Sequence, residues 1–289
     1  MKSVEYWLAR FVLATLSTTS LPMANRLARF YVRLLDIALP RLRRTALKNL
    51  EMAGLAGRER ITTGVFHSIA RLVVSFARFP KITRENVHEW IAYEGLENFT
   101  RAQARGKGVL IATAHLGNWE LSAFAHAYLA APMRVVVRPI DNTRIDEMVE
   151  KRRMLSGNRL IAKKEAARGI FRALAAGDAV GILIDQNTTR EQGVFVEFFG
   201  VTACAGSAFV KLAHHSGAAV VPGYALWSEN DQRYVLHFEP EVEMSGDVLA
   251  DTQRVHARLE AAIRKHPDQW LWVHRRWKTR PPGEAPIYE

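Results

Sequence analysis

His115 and Glu120 are the two residues of this sequence best suited to moving a proton. An imidazole with one ring nitrogen held by a carboxylate can take a proton on the other, which suits proton removal from a hydroxyl. Placed on one α-helix, residues with this spacing are turned roughly 140° from each other at about 100° per residue and cannot easily meet. They meet only if His115 precedes the helix and Glu120 lies in its first turn. Gly117 permits this, because glycine takes backbone angles that turn a chain sharply between strand and helix. Glu120 is then expected to hold one ring nitrogen of His115, fixing the tautomer and stabilising the imidazolium. Backbone N–H groups of the same helix start, near Gly117 to Trp119, are expected to receive an oxyanion or a phosphate. The competing account is a satisfied structural histidine at a strand end, and the wider sequence has to decide between them.

The elements that position the pair are short. Val109–Thr113 is an apolar run of strand length that leads straight into His115. From there the chain alternates strand and helix patterns. Strands are expected at residues 134–140, 159–162, 179–184, 218–227 and 234–238, and helices at 143–155, 164–176 and 252–265. That alternation predicts an α/β fold with a central, mostly parallel sheet flanked by helices. Residues 45–100 read as mostly helical, with a helix over 60–79 ended by Pro80. His67 and His88 read as helix or surface residues.

In an open α/β sheet, ligands bind outside the carboxyl ends of the strands. His115 and Glu120 follow the first of these strands; Arg138, Pro139 and Asp141 follow the second; Asp185, Gln186 and Asn187 follow the run at 179–184. Each group alone suits a turn or a cap, but together they converge on one edge. Other chemistries find no support. There is no Gly-rich phosphate loop and no Gly-x-Ser-x-Gly turn, and the adjacent His214 and His215 are not spaced to hold one metal from one helix face.

At 289 residues the chain can bury a sizeable core. Forty Lys and Arg against 29 Asp and Glu give a formal net charge of +11, which calls for an acidic partner. The single cysteine, Cys204, excludes an intrachain disulfide and a multi-cysteine zinc site, and reads as a small buried residue. Residues 11–25 carry no charge but include Ser17, Thr18, Thr19, Ser20 and Pro22. This run is shorter than the roughly 20 apolar residues a membrane-crossing helix needs, and Glu5 ahead of it fits a signal peptide poorly. Arginines 26, 29, 33, 41, 43 and 44 then alternate with apolar residues, the pattern of a helix lying in a membrane interface. The expected organisation is a basic amphipathic membrane-associating segment over 1–44 and an α/β domain over 45–289.

The segments TAHLGNWEL (113–121), VVVRPIDN (135–142), GILIDQN (181–187), VEFFGVTA (196–203) and QWLWVHRRWKTRPPGE (269–284) resemble those of the bacterial lipid A biosynthesis acyltransferases, the late enzymes of the lauroyl and myristoyl type. RRTALKNLEMAG (43–54) is similar to that family's early helix, so the likeness runs over nearly the whole chain. The resemblance implies a glycerol-3-phosphate acyltransferase-like fold at the cytoplasmic face of the inner membrane. It implies His115 as general base with Glu120 as its partner, and Arg138, Arg153 and Asp185 as substrate-binding residues, with Arg152 an alternative register for Arg153. The arginines are expected to bind phosphate. Acyl carrier protein, a small acidic protein, is the implied donor; a lipid A precursor is the implied acceptor. No metal or other cofactor and no nucleic acid are implied. Phe195, Phe198 and Phe199 are candidates for an acyl groove, or else plain core. His256, where the family pattern suggests asparagine, and Ala205 to Ser207 depart from it. The GNWE version of the motif is shared by relatives acting on other glycolipids, such as phosphatidylinositol mannosides. A non-catalytic basic protein binding membranes or nucleic acid is the reading from a different class.

Overall fold

The computed structural model describes residues 2–162 and 166–288. Four helices come first: α1 (Lys2–Thr18), α2 (Leu21–Ala38), α3 (Pro40–Met52) and α4 (Arg58–Arg78). The α/β part follows as β1 (Ile91–Glu94), α5 (Leu96–Gln103), β2 (Val109–Thr113), α6 (Trp119–Leu129), β3 (Arg134–Val137), α7 (Thr143–Met154), β4 (Arg159–Ala162), α8 (Ala166–Ala175), β5 (Ala179–Leu183), β6 (Gly193–Phe198), β7 (Val201–Gly206), α9 (Ala208–Ser216), β8 (Ala219–Ser228), β9 (Arg233–Phe238) and α10 (Val248–Lys265). The start of the helix expected from residue 164 lies outside the described residues.

The main sheet has the order β1-β9-β8-β2-β5-β3-β4. Every neighbouring pair is parallel except β8 and β9, which form an antiparallel hairpin. The expected α/β class with a mostly parallel sheet therefore holds. Strand β2 lies near the middle, paired on both sides, and its apolar sequence follows from burial on both faces. Val109 and Ile111 enter a core with α4, α5 and α6, while Leu110 and Ala112 enter one with α8, α9 and α10.

Two strand features run against expectation. Residues 91–94, in a stretch that reads as helical, form edge strand β1 beside β9. Residues 193–206 form a separate antiparallel hairpin, β6–β7, whose Phe198 packs against the carboxyl-terminal tryptophans.

At the amino terminus, a break at Thr19 and Ser20 before Pro22 splits the uncharged run between α1 and α2. Among the described residues, no helix is long and apolar enough to cross a membrane. Leu13, Leu16, Ala24, Ala28 and Val32 join the same core as Phe66, Ala70 and Val74 of α4. The other faces leave Val4, Trp7, Leu8 and Phe11 of α1, and Phe30, Leu34 and Ile37 of α2, open to solvent. The start of α1 is bonded to the residues ahead of α7: Lys2 Nζ donates to the Asp141 carbonyl, and Asn142 Nδ2 donates to the Lys2 carbonyl and to Glu5. This fixes the start of α1 beside the carboxyl end of β3.

Candidate active site

The loop from β2 into α6 is held by the chain on either side of it. Gly117 has φ +62°, and a Cβ built there would lie 1.9 Å from the carbonyl oxygen of Ala225 in β8, so only glycine fits. The Gly117 N–H donates to the Gln269 carbonyl (2.8 Å), the Asn118 N–H to the Ala225 carbonyl (2.8 Å), and the Leu271 N–H to the His115 carbonyl (2.9 Å). Asn118 caps α6: its Oδ1 accepts the Leu121 N–H at 3.0 Å and its Nδ2 donates to Ser75 Oγ of α4 at 2.7 Å. His115 therefore precedes the helix, and Glu120 lies in its first turn.

The partner of the His115 ring is Asp185, whereas the spacing argument assigned that role to Glu120. Strand register explains the difference. Thr113 of β2 is level with Leu183 of β5, so His115 and Asp185, each two residues further on, emerge side by side at the sheet's carboxyl edge. Asp185 Oδ1 accepts from His115 Nδ1 at 2.9 Å, and Oδ2 accepts the His115 backbone N–H at 2.9 Å and the Trp270 indole N–H at 2.8 Å. A carboxylate only accepts, so Nδ1 carries the proton and the lone pair lies on Nε2. Asp185 is 2% exposed. Grouped at the sequence level with the substrate-binding residues, it has its carboxylate taken up inside the protein.

Glu120 is clamped instead by Arg153 of α7, Nε to Oε2 at 2.9 Å and Nη2 to Oε1 at 2.5 Å. This fork-to-fork pair occupies the guanidinium edge that was expected to receive phosphate. Arg138 is exposed just beyond β3, with no ion pair to any described residue. The five expected site residues thus divide into a His115–Asp185 pair, a Glu120–Arg153 pair and a lone Arg138.

Burial works against a charged His115, but the charge and hydrogen bond of Asp185, with the charge of Glu120, overcome it and raise the imidazole pKa. Burial likewise disfavours an ionised Asp185; the charge and hydrogen bond of His115, with the Trp270 indole, hold its pKa well below the usual carboxylate range. Nε2 of His115 lies 3.5 Å from Nε2 of Gln186, and the ring meets Trp119 edge-on with centroids 4.8 Å apart. The amides of Gly117 and Asn118, expected among the oxyanion donors, are engaged by backbone carbonyls. Those of Trp119 and Glu120 remain at the open first turn of α6.

Sequence reasoning missed the part played by the carboxyl-terminal segment. Trp270, Trp272 and Trp277 are buried with Phe198 and Phe199, so these two phenylalanines form core and not an acyl groove. Phe195 is half-buried. Asn49 donates to the Trp272 and His274 carbonyls at 2.6 and 2.7 Å, which ties α3 to the same segment. His256 sits between the carbonyls of Thr252 and Ile184, and burial brings its pKa down to about 4. Cys204 is buried, as expected.

An imidazole held by a buried carboxylate thus stands at the carboxyl edge of a mostly parallel sheet, beside the first turn of a helix. Residues 1–279 match the family described as bacterial lipid A biosynthesis acyltransferase. The chain is 31% identical over 295 residues to the lipid A biosynthesis palmitoleoyltransferase of Escherichia coli K12, covering 98% of this chain and 95% of that protein. It is 29% identical over 205 residues to the lauroyltransferase of the same organism (70% and 66% covered) and 24% identical over 298 residues to the myristoyltransferase (99% and 91% covered). The chain belongs to the bacterial lipid A biosynthesis acyltransferase family, and it is an acyltransferase.

Proposed function

We propose that this protein moves a fatty acyl chain from acyl carrier protein thioester to a hydroxyl of a lipid A precursor, working on the cytoplasmic face of the inner membrane with a glycerol-3-phosphate acyltransferase-like fold. The observation that carries the chemistry is the His115–Asp185 pair, with its unprotonated Nε2 turned toward Gln186. Membership of the family supports the lipid A precursor as acceptor. The +11 charge and the exposed apolar residues of α1 and α2 support an acidic donor and an anionic membrane surface. Residues 1–44 act as the membrane-associating segment and 45–289 as the catalytic domain.

In this reading, the acceptor hydroxyl displaces the Gln186 amide from His115 Nε2 and gives up its proton there as its oxygen attacks the thioester carbonyl. Asp185 steadies the imidazolium. The tetrahedral oxyanion is met by the open amides of Trp119 and Glu120 or by an arginine. The carbon–sulfur bond then breaks, the imidazolium returns its proton to the leaving thiolate, and ester and free thiol are released. Glu120 and Arg153 fix the first turn of α6 against α7, and exposed Arg138 receives a phosphate of acceptor or donor.

The test is transfer itself. Purified protein in detergent is given radiolabelled acyl carrier protein thioesters or coenzyme A thioesters, with lipid A precursor as acceptor. Transfer from the carrier protein is expected, with His115→Ala slower by roughly 100-fold or more. Undiminished turnover in His115→Ala overturns the mechanism. His115-dependent thioester hydrolysis without transfer overturns the acceptor.

A further inference from the structure

Helix α7 presents two different faces. Asp146, Glu150 and Arg153 surround the clamp on Glu120, with the two carboxylates adding to the negative field on Arg153. Arg144, Met148, Lys151 and Arg152, at helical spacing, are turned toward α1 and line a cavity of about 220 Å³ with Tyr6 and Glu147. That volume is several times the ~30 Å³ a water molecule occupies in the liquid.

The charges in this cavity are not balanced from within. Three cations face one carboxylate, and none of Arg144, Lys151 and Arg152 forms an ion pair with a described residue. The Arg144 guanidinium is stacked 3.9 Å over the Tyr6 ring and 5.8 Å from that of Trp7, which orients it at the edge of the cavity. Arg152 Nε is buried and has no hydrogen-bond partner among the described residues. Buried donors on a cation are costly to leave unmade, so this arrangement waits for an anion with several acceptor oxygens. The wall formed by α1 carries Val4, Trp7, Leu8 and Phe11, all exposed apolar side chains.

We propose that this cavity between α1 and α7 binds a phosphate group carried on a lipid headgroup, so that α1 enters the membrane interface while Arg144, Lys151 and Arg152 hold the phosphate beneath it. The proposal rests on the membrane-surface part of the reading above, and not on the role of His115.

The test is co-sedimentation of the full chain with phosphatidylcholine vesicles that contain either phosphatidic acid, a phosphomonoester, or phosphatidylglycerol, a phosphodiester, adjusted to equal zeta potential. The wild-type chain is expected to bind the phosphatidic acid vesicles roughly tenfold more tightly, a preference that diffuse attraction alone does not give. Arg144→Gln/Lys151→Gln is expected to lose that preference. Arg26→Gln/Arg33→Gln, which removes the same charge from exposed α2 positions, is expected to weaken both bindings equally. Lys151→Gln alone carries the test if the double variant does not fold, since no other described side chain bonds to Lys151. His115→Ala is expected to keep the preference, so failure of this site and failure of the catalytic mechanism are separate results. No wild-type preference, or a preference that survives both site variants, overturns the proposal. A rise in thermal midpoint with inorganic phosphate that depends on Lys151, without any vesicle preference, overturns the lipid source and assigns the site to a soluble phosphate.

Discussion

Asp185 holds His115 at two points, its Oδ1 on the ring Nδ1 and its Oδ2 on the backbone N–H, each at 2.9 Å. One carboxylate thereby sets the tautomer of the imidazole and the position of the chain that carries it. The Trp270 indole occupies the same Oδ2 at 2.8 Å, so the orientation of His115 also depends on a segment far away in sequence. The arrangement is preorganised: the charge that the imidazolium needs is already present, buried and pointing at it.

Asp185→Asn is expected to lower kcat by roughly 100- to 10,000-fold, because an amide in that place no longer dictates which ring nitrogen carries the proton. The protein should still fold, as an asparagine oxygen can accept one of the three donors. Steady-state kinetics beside a circular dichroism spectrum checks this, and turnover near the wild-type value excludes Asp185 from the mechanism.

Glu120→Gln is expected to cost less activity than Asp185→Asn, because Glu120 touches Arg153 and reaches His115 only through its charge. Both side chains of the pair are mostly buried. A double-mutant cycle with Arg153→Gln is therefore expected to show coupling of about 1–3 kcal/mol in stability. Additive single effects in denaturant unfolding would contradict the clamp.

Much of this site could be read from residue order and part of it could not. Strand length, the glycine turn and the helix start put His115 and Glu120 where they stand, because those signals are local. The choice of carboxylate was not local: it depends on β5 lying beside β2 in the register Thr113 with Leu183, which no spacing within the 109–120 stretch encodes. The same limit applies to β1, four residues whose pairing with β9 spans the chain, and to the β6–β7 hairpin, whose FFG run reads equally as groove or core. The tryptophans near the carboxyl end carry no periodic signal that links Trp270 to Asp185. The unpaired basic face of α7 was hidden for another reason: Arg152 and Arg153 are adjacent in sequence but point to different neighbours.

Gly117→Ala is expected to destabilise the fold by roughly 3 kcal/mol or more, since an αL conformation and a clash with a backbone carbonyl act together. The Cβ would meet the Ala225 oxygen at 1.9 Å, and the loop cannot retreat while the Asn118 amide is bonded to that same Ala225 carbonyl and the Gly117 amide to the Gln269 carbonyl. Gly106, with φ +71° and nothing within reach of an added Cβ, is the control and should lose much less on the same substitution. Chemical unfolding of the two variants compares them directly; equal losses would mean that the loop moves.

The pH dependence of the enzyme should follow the raised pKa of His115. In the proposed mechanism His115 accepts a proton only when Nε2 is unprotonated, so kcat/KM is expected to rise with pH on an acid limb centred above the ordinary histidine value of about 6.5. In Glu120→Gln one of the negative charges that favour the imidazolium is gone, and the limb should move to lower pH. Asp185→Asn should move it further, because Asp185 contributes both charge and hydrogen bond. Stability should show the linked effect with the opposite sense. A histidine whose pKa is raised on folding stabilises the native state fully below its unfolded pKa, and that contribution is lost as pH rises through the folded value. Asp185 acts in the other direction: its lowered pKa stabilises the fold above the unfolded carboxylate value of about 3.9, a contribution lost as pH falls through the folded one. Rate profiles and denaturant midpoints measured over the same pH range check both. A limb that stays in place in the two variants would show that another group sets it.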